Sequence, residues 1–390
     1  MPDHVLSAAS GRPFVLIVAE KRSMAVELAA ALDRLPDGHP WLAGRDVAFL
    51  DLMGMGTWRF AFPEALSAAD LPVVAEPRYR WGTYSRWYPA RLLPYERMPA
   101  GQRSRVGGPP HGLPALDAAA LQEAMGRADD VVRFCDSDHH GCKVFHLALT
   151  GGRWSAAAPW LTRPGARVWD TWLSSMDRKT MDRLVADLVS GRLPRWPGNG
   201  RAHGAAQAKE FFDWNWAVNT QALMAPYLRA AGVHRLDKLP AFQKVCVSLL
   251  LFLARTEEGR NRAWTEGTLV QRMARWDPEG SARFGWRAEL GSPTSRSAAI
   301  EHLLDMGLLE RCGKRIVALG EAGEDLSGLL PKDAWDPHQP RRLAEWMETW
   351  PASRPAMERY LGTWWSKVRN RRPDAIRAQG GEGAPPPELP

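Results

Sequence analysis

The chain has 390 residues, more than one hydrophobic core usually serves, so two or three domains are expected. A net charge of +7, an isoelectric point near 9.4 and a large excess of arginine over lysine point to a polyanionic partner, with nucleic acid the natural one. Four cysteines without framework spacing, no apolar run of membrane length and no charged-then-apolar leader exclude a disulfide-stapled secreted fold and a membrane protein, and the expected setting is the reducing cytoplasm.

Residues 1–12 read as a frayed leader. The apolar run Phe14–Ala19 predicts a strand, Glu20 follows it, and Ala25–Leu32 has helical spacing. Gln102–Pro114, rich in Gly, Pro and Arg, predicts a mobile basic loop. The same strand, turn and helix pattern recurs in Val131–Cys135, Asp136-Ser137-Asp138 and Lys143–Leu149. Residues 14–185 are therefore expected to form an α/β domain, and Arg192–Gly204 reads as a Pro/Gly linker. Helices are predicted over Ala205–Leu228, Leu239–Arg255, Thr265–Trp276, Ser295–Leu309, Arg341–Trp350 and Pro355–Val368, making 200–370 a helical domain. Within it, the helix Ser295–Leu309 followed by a hairpin at Arg311–Leu319, with Gly313-Lys314 at its turn, predicts a winged-helix-like unit at 290–330. The Gly/Pro/Glu-rich end, 371–390, is expected to be disordered.

In an open α/β sheet functional groups gather outside the carboxyl ends of parallel strands, which would bring Glu20, Asp136 and Asp138 to one edge. Three hard oxygen ligands there suit Mg²⁺ and phosphate chemistry. Cys135, His139, His140 and Cys142 offer a zinc alternative, but their spacing is neither a finger nor a ribbon. The helix start Ser292-Pro293-Thr294-Ser295-Arg296 offers caps, free backbone N–H groups and a guanidinium suited to a phosphate. Of the 19 tryptophans most are expected in cores, with some free to stack on unpaired bases.

Ile17 to Ala25, with Ala19-Glu20-Lys21-Arg22-Ser23 at its centre, resembles the opening of the Toprim domain of type IA DNA topoisomerases, particularly the topoisomerase III branch. Asp136-Ser137-Asp138-His139-His140-Gly141 resembles that family's second acidic turn. Leu71-Pro72-Val73-Val74 with Glu76, Trp172-Leu173-Ser174-Ser175, Asp213-Trp214 with Asn219-Thr220-Gln221-Ala222, Trp264 to Leu269, and Leu290 to Arg296 with Gly307 and Gly313-Lys314 are similar to further family motifs in the same order. The resemblance spans roughly residues 14–350. It implies a Toprim (Rossmann-like) α/β domain followed by a helical DNA-binding domain, an α/β + α architecture. It also implies a groove for single-stranded DNA, a role for Glu20, Lys21, Asp136 and Asp138 at the reaction centre, and DNA contacts from Lys21, Arg201, Lys209, Asn219, Gln243 and Arg296. Trp214 has a core reading and a DNA reading, of which core is the expectation.

Two departures limit what the resemblance implies. Only the ten residues Arg255–Trp264 stand where the family carries the large module bearing its nucleophilic tyrosine. The tyrosines present are Tyr79, Tyr84, Tyr88, Tyr95, Tyr227 and Tyr360, and Tyr227-Leu228-Arg229, the one outside candidate, falls where the family has a helix. The second acidic turn has also exchanged two carboxylates and an arginine for His139, His140 and Cys142, which weakens a Mg²⁺ site. The resulting expectation is a compact protein that holds single-stranded DNA without tyrosine-dependent strand passage and works with other DNA-processing proteins. An active topoisomerase using an atypical or partner-supplied tyrosine, and a Toprim metal-dependent nuclease, are the alternatives.

Overall fold

A computed structural model describes residues 11–52, 58–82, 91–94, 116–154, 165, 167–197, 200–276, 288–313 and 316–371. The basic loop Gln102–Pro114, nearly all of the expected leader and tail, Tyr84, Tyr88, Tyr95 and Lys314 lie outside the described residues. The chain divides into two compact units, one of residues 1–61 with 76–207, the other of residues 62–75 with 208–390.

The first unit is a mixed α/β domain. Strands form at Phe14–Ala19 (β1), Asp46–Asp51 (β2), Trp58–Phe60 (β3), Tyr79–Trp81 (β4), Arg91–Pro94 (β5), Asp130–Phe134 (β6) and Arg167–Asp170 (β7). Helices form at Arg22–Leu32 (α1), Pro40–Ala43 (α2), Ala118–Arg127 (α3), His139–Thr150 (α4) and Arg178–Val189 (α5). Five strands make one sheet in the order β5-β2-β1-β6-β7, parallel except for the antiparallel edge strand β5. A parallel strand covered on both faces needs apolar side chains on both, which is why β1 reads as an unbroken apolar run. Val15, Ile17 and Ala19 pack with α1 and α5 on one face; Leu16 and Val18 pack with α3 and α4 on the other. Asp117, Asp138 and Asp177 cap α3, α4 and α5 by accepting from the backbone N–H groups of Ala120, Gly141 and Thr180.

The expected linker Arg192–Gly204 is not a linker. Asp170 N–H donates to Pro194 O at 2.9 Å, Trp196 N–H donates to Val168 O at 3.0 Å, and the Trp196 ring meets Phe145 edge-on. These bonds lay the segment along the β7 edge, so its prolines serve a sheet margin, where a missing N–H is tolerated.

The second unit is largely helical with a small strand insert. It contains most of Gly200–Ala230 (α6), whose first eight residues belong to the first unit, then Lys244–Arg255 (α7), Glu257–Asn261 (α8), Trp264–Thr265 (β8), Glu266–Ala274 (α9), Pro293–Asp305 (α10), Leu309–Cys312 (β9), Ile316–Leu319 (β10), Glu321–Leu329 (α11), Gln339–Thr349 (α12) and Arg354–Asn370 (α13). The insert is a three-stranded sheet in the order β8-β10-β9. Its core is rich in aromatics, with Trp216 close to Trp364 and Trp365 at centroid separations of 4.5 and 4.8 Å. Trp214 is also buried, as the core reading expects.

The segment 62–75, which the sequence boundaries leave with the α/β domain, clusters with the helical unit. Two asparagines one turn apart on α6 hold it. Asn215 accepts from Ala75 N–H at 2.8 Å and donates to Ala75 O at 2.8 Å. Asn219 does the same for Val73 at 2.7 and 2.7 Å. Each amide pairs with one residue's backbone as a neighbouring strand would, satisfying polar groups that the helix surface alone would leave unmet.

Candidate functional site at the carboxyl edge of the parallel sheet

The register of the central strands builds the site. Ala19 lies beside Asp51 on one side and Phe134 on the other, so the residues that follow β1 and β6 emerge together. Glu20 N–H donates to Phe134 O at 3.4 Å, and Asp136 N–H donates to Glu20 Oε2 at 3.3 Å. Glu20 is almost wholly buried, and Lys21 Nζ lies 3.2 Å from Glu20 Oε1 and 3.0 Å from Asp136 Oδ2. The structure thus brings together Glu20, Lys21 and Asp136. Asp138 turns away to cap α4, accepting from Gly141 N–H at 2.8 Å. Gly141 has a steric reason to be glycine, since a Cβ there would fall 2.2 Å from Asp136 O and push the acidic turn off the helix.

Electrostatics follow from burial and pairing. Burial raises the Glu20 carboxyl above its ordinary value, with Lys21 opposing and Asp136 reinforcing. Partial burial works against the Lys21 ammonium, but its bonds to Asp136 and Glu20 outweigh this and hold it upward. Among the described residues no group of three or more His, Cys, Asp or Glu side chains comes together to hold a metal. Glu20 and Asp136 remain a two-carboxylate set, which suits Mg²⁺ because that ion takes one or two protein carboxylates and fills its octahedron with water and phosphate oxygens. Lys21 now neutralises that pair.

The zinc alternative does not assemble. The Cys135 thiol donates to Val18 O at 3.6 Å inside the core, while Cys142 Sγ accepts from the Arg133 guanidinium at 3.5 Å. Burial raises both thiols, Cys142 to about 11, and lowers His140 to about 4. A zinc thiolate would have to form beside core carbons in one case and a guanidinium in the other.

Beneath the acidic turn lies a buried ion pair that the sequence reading missed. Arg133, fully buried on β6, donates to Asp170 Oδ1 at 2.8 Å and to Asp136 O, with its guanidinium 5.6 Å from the Trp196 ring. Asp51, fully buried at the end of β2, accepts from Arg22 Nε at 3.0 Å. The available signal was an arginine inside the apolar run Val131–Cys135, where an unpaired charge would be prohibitive.

The residues expected to touch DNA divide by burial. Arg201, in the first unit, is exposed, as is Gln243 before α7. Lys209 is ion-paired with Asp213 one turn on. Asn219 and Arg296 require correction. Asn219 is fully buried, its amide committed to Val73 and to Asn215 O. Arg296 is buried as well, with Nε donating to Leu290 O at 3.3 Å and its terminal nitrogen paired with Glu289. Gly291, between Leu290 and the helix, has φ of 77°, a left-handed conformation that glycine adopts freely. At the same helix start Ser292 and Ser295 bond each other at 2.9 Å. Tyr227, the outside candidate for a nucleophile, is buried with its hydroxyl donating to Val368 O and its pKa pushed up to about 12 by burial.

No family model matches the chain, and no curated protein matches it. No helix among the described residues is long and apolar enough to cross a membrane.

Proposed function

We propose that this protein is a compact relative of type IA DNA topoisomerases that binds single-stranded DNA and does not carry out tyrosine-dependent strand passage. In this reading the first unit is a Toprim domain, the second a helical DNA-binding domain with a winged-helix-like unit, and the protein acts in the cytoplasm beside other DNA-processing proteins. The observation that carries the reading is the convergence of Glu20, Lys21 and Asp136, from turns 115 residues apart, at the carboxyl edge of the parallel sheet. Lys21 is half-exposed on a flexible stem, so it can leave the carboxylates for a phosphate oxygen when DNA arrives. Glu20 and Asp136 would then hold Mg²⁺, which supplies charge neutralisation at the phosphate. Exposed Arg201 and the positive charge of the whole chain add phosphate contacts, making affinity salt dependent.

The lack of strand passage rests on the ten residues Arg255–Trp264 that stand where the family carries its tyrosine module, and on Tyr79, Tyr227 and Tyr360, the tyrosines among the described residues. Tyr227 is sealed in a core; Tyr360 is partly buried with its hydroxyl enclosed, and burial raises its pKa well above the ordinary value; Tyr79 packs against Phe60 and Trp154. A buried, unionised phenol presents no aligned nucleophile to a phosphorus. The two clustered carboxylates also favour a second reading, a metal-dependent nuclease.

Supercoiled plasmid incubated with and without Mg²⁺, and resolved into relaxed, nicked and protein-linked products, separates these readings. DNA retention without any of the three products is the expected result. A protein-linked, relaxed product establishes a topoisomerase, and Mg²⁺-dependent nicking abolished by Glu20→Gln establishes a nuclease.

A further inference from the structure

The turn after β7 leaves two large apolar side chains exposed. Trp172 is 39% exposed and Met176 42%, and among the described residues only Ile316 joins them as a large exposed hydrophobic. Their turn runs alongside the acidic one, since Leu173 bridges Asp136 in parallel fashion and accepts from Ser137 N–H at 2.9 Å. The turn that carries the indole and the thioether therefore runs beside Asp136, along the edge that carries Glu20 and Lys21.

The backbone at Trp172 is strained to put the ring there. Its φ is 45°, the left-handed region, and it is the one non-glycine residue so placed among the described residues. For a bulky side chain such a conformation costs on the order of 1–3 kcal/mol and persists only where the surroundings over-determine it. Here they do. Trp172 N–H donates to Asp170 Oδ1 at 3.0 Å, and the same oxygen accepts from the buried Arg133 at 2.8 Å. On the preceding residue, Thr171 Oγ1 donates to Arg133 O at 2.9 Å. A buried ion pair thus clamps a strained turn whose visible product is an indole facing solvent.

We infer that Trp172, flanked by Met176, is the stacking platform for an unpaired base whose neighbouring phosphate is drawn to the Lys21 side of the rim. The inference rests on the single-stranded DNA reading above and specifies where a base docks. A planar π face suits a flat heterocycle of any sequence, and the polar, charged groups beside it suit the sugar-phosphate that every base carries, whereas an apolar protein surface would have to desolvate Asp136 and Lys21.

The test is fluorescence anisotropy with a labelled twelve-residue oligothymidylate and a fully abasic strand of the same length, in Mg²⁺. Trp172→Gly is the informative variant, because glycine adopts φ of 45° without strain and the turn keeps its fold. Loss of one base stack corresponds to roughly 5- to 150-fold weaker binding. That loss is expected for Trp172→Gly on the thymidylate strand, with little change on the abasic strand and substantial recovery in Trp172→Phe. If wild-type protein binds thymidylate and Trp172→Gly binds it equally, or loses the same factor on the abasic strand, the stacking assignment is overturned while DNA binding stands. If wild-type protein binds neither strand, the DNA reading and the stacking assignment fall together.

Discussion

Lys244 is the residue whose replacement should change the protein most simply. It opens α7, nearly wholly buried, with its Nζ making no hydrogen bond and lying 4.8 Å from the Trp216 ring and 4.9 Å from the Trp364 ring. Burial lowers its pKa from the ordinary 10.5 to about 7, with Asp336 opposing and Arg342 adding to the fall. Its place at the positive end of a helix dipole acts in the same direction. A drop of this size corresponds to about 5 kcal/mol at ~1.36 kcal/mol per unit. The two indole faces favour the cation by up to about 2 kcal/mol each, so the net penalty at pH 7 is on the order of 1–4 kcal/mol. For a base whose folded pKa is depressed, the unfolded chain binds more protons between about 7 and 10.5, so stability rises with pH through that window and the penalty is complete below it. Lys244→Met keeps the stem length, removes the charge and gives sulfur to the two indoles. At pH 7 the variant should be more stable by that amount, a rise in unfolding temperature of roughly 2–16 °C at about 2–4 °C per kcal/mol for a unit of this size. At pH 10 the difference should shrink to about 1 kcal/mol or less, since wild-type Lys244 is then neutral when folded and partly so when unfolded. Urea unfolding followed by tryptophan fluorescence across pH 7–10 measures this directly. Parallel wild-type and variant profiles, or a variant less stable at pH 7, would show that the indole faces hold Lys244 charged and would refute the reasoning.

Two further substitutions separate structural from DNA-contacting roles. Asn219→Ala leaves the N–H and C=O of Val73 without their side-chain partner and should destabilise the helical unit by about 2–4 kcal/mol in urea unfolding. The DNA affinity of the folded fraction should be unchanged; a selective loss of affinity at normal stability would restore Asn219 to the DNA surface. Tyr227→Phe should lose about 1 kcal/mol with the hydroxyl bond to Val368 O and leave every plasmid product as in wild type. A protein-linked DNA adduct that disappears in this variant would contradict the buried placement.

The legible parts of this molecule were those whose physics is local. Two apolar runs ending in acids, each followed by helical spacing, contain their own instruction: parallel strands present the residues just past their carboxyl ends at one edge, and Glu20 and Asp136 meet there. Lys21 comes with the first of these turns, whereas Asp138, expected beside the other two acids, caps α4 instead. Trp214 is buried as its core reading expects, and Ser292 caps its helix through hydroxyl spacing that needs no distant partner. The features that escaped depend on partners far away in sequence. Asn219 and Arg296 sit in polar stretches where a DNA contact and a buried backbone contact call for the same side chains, and the choice is made elsewhere, for Asn219 by Val73, 146 residues back. Arg133 and Lys244 stand within apolar runs, and one buried cation is matched by Asp170 while the other has two indole rings and no acceptor. That contrast sets their expected behaviour. Removing Asp170 strands a fully buried guanidinium and releases the strained turn at Trp172, whereas removing the Lys244 charge relieves a core that already bears it poorly. A charged residue in an apolar run therefore marks a place of consequence in this sequence, and only its distant partner decides whether it supports the carboxyl edge of the sheet or burdens the core.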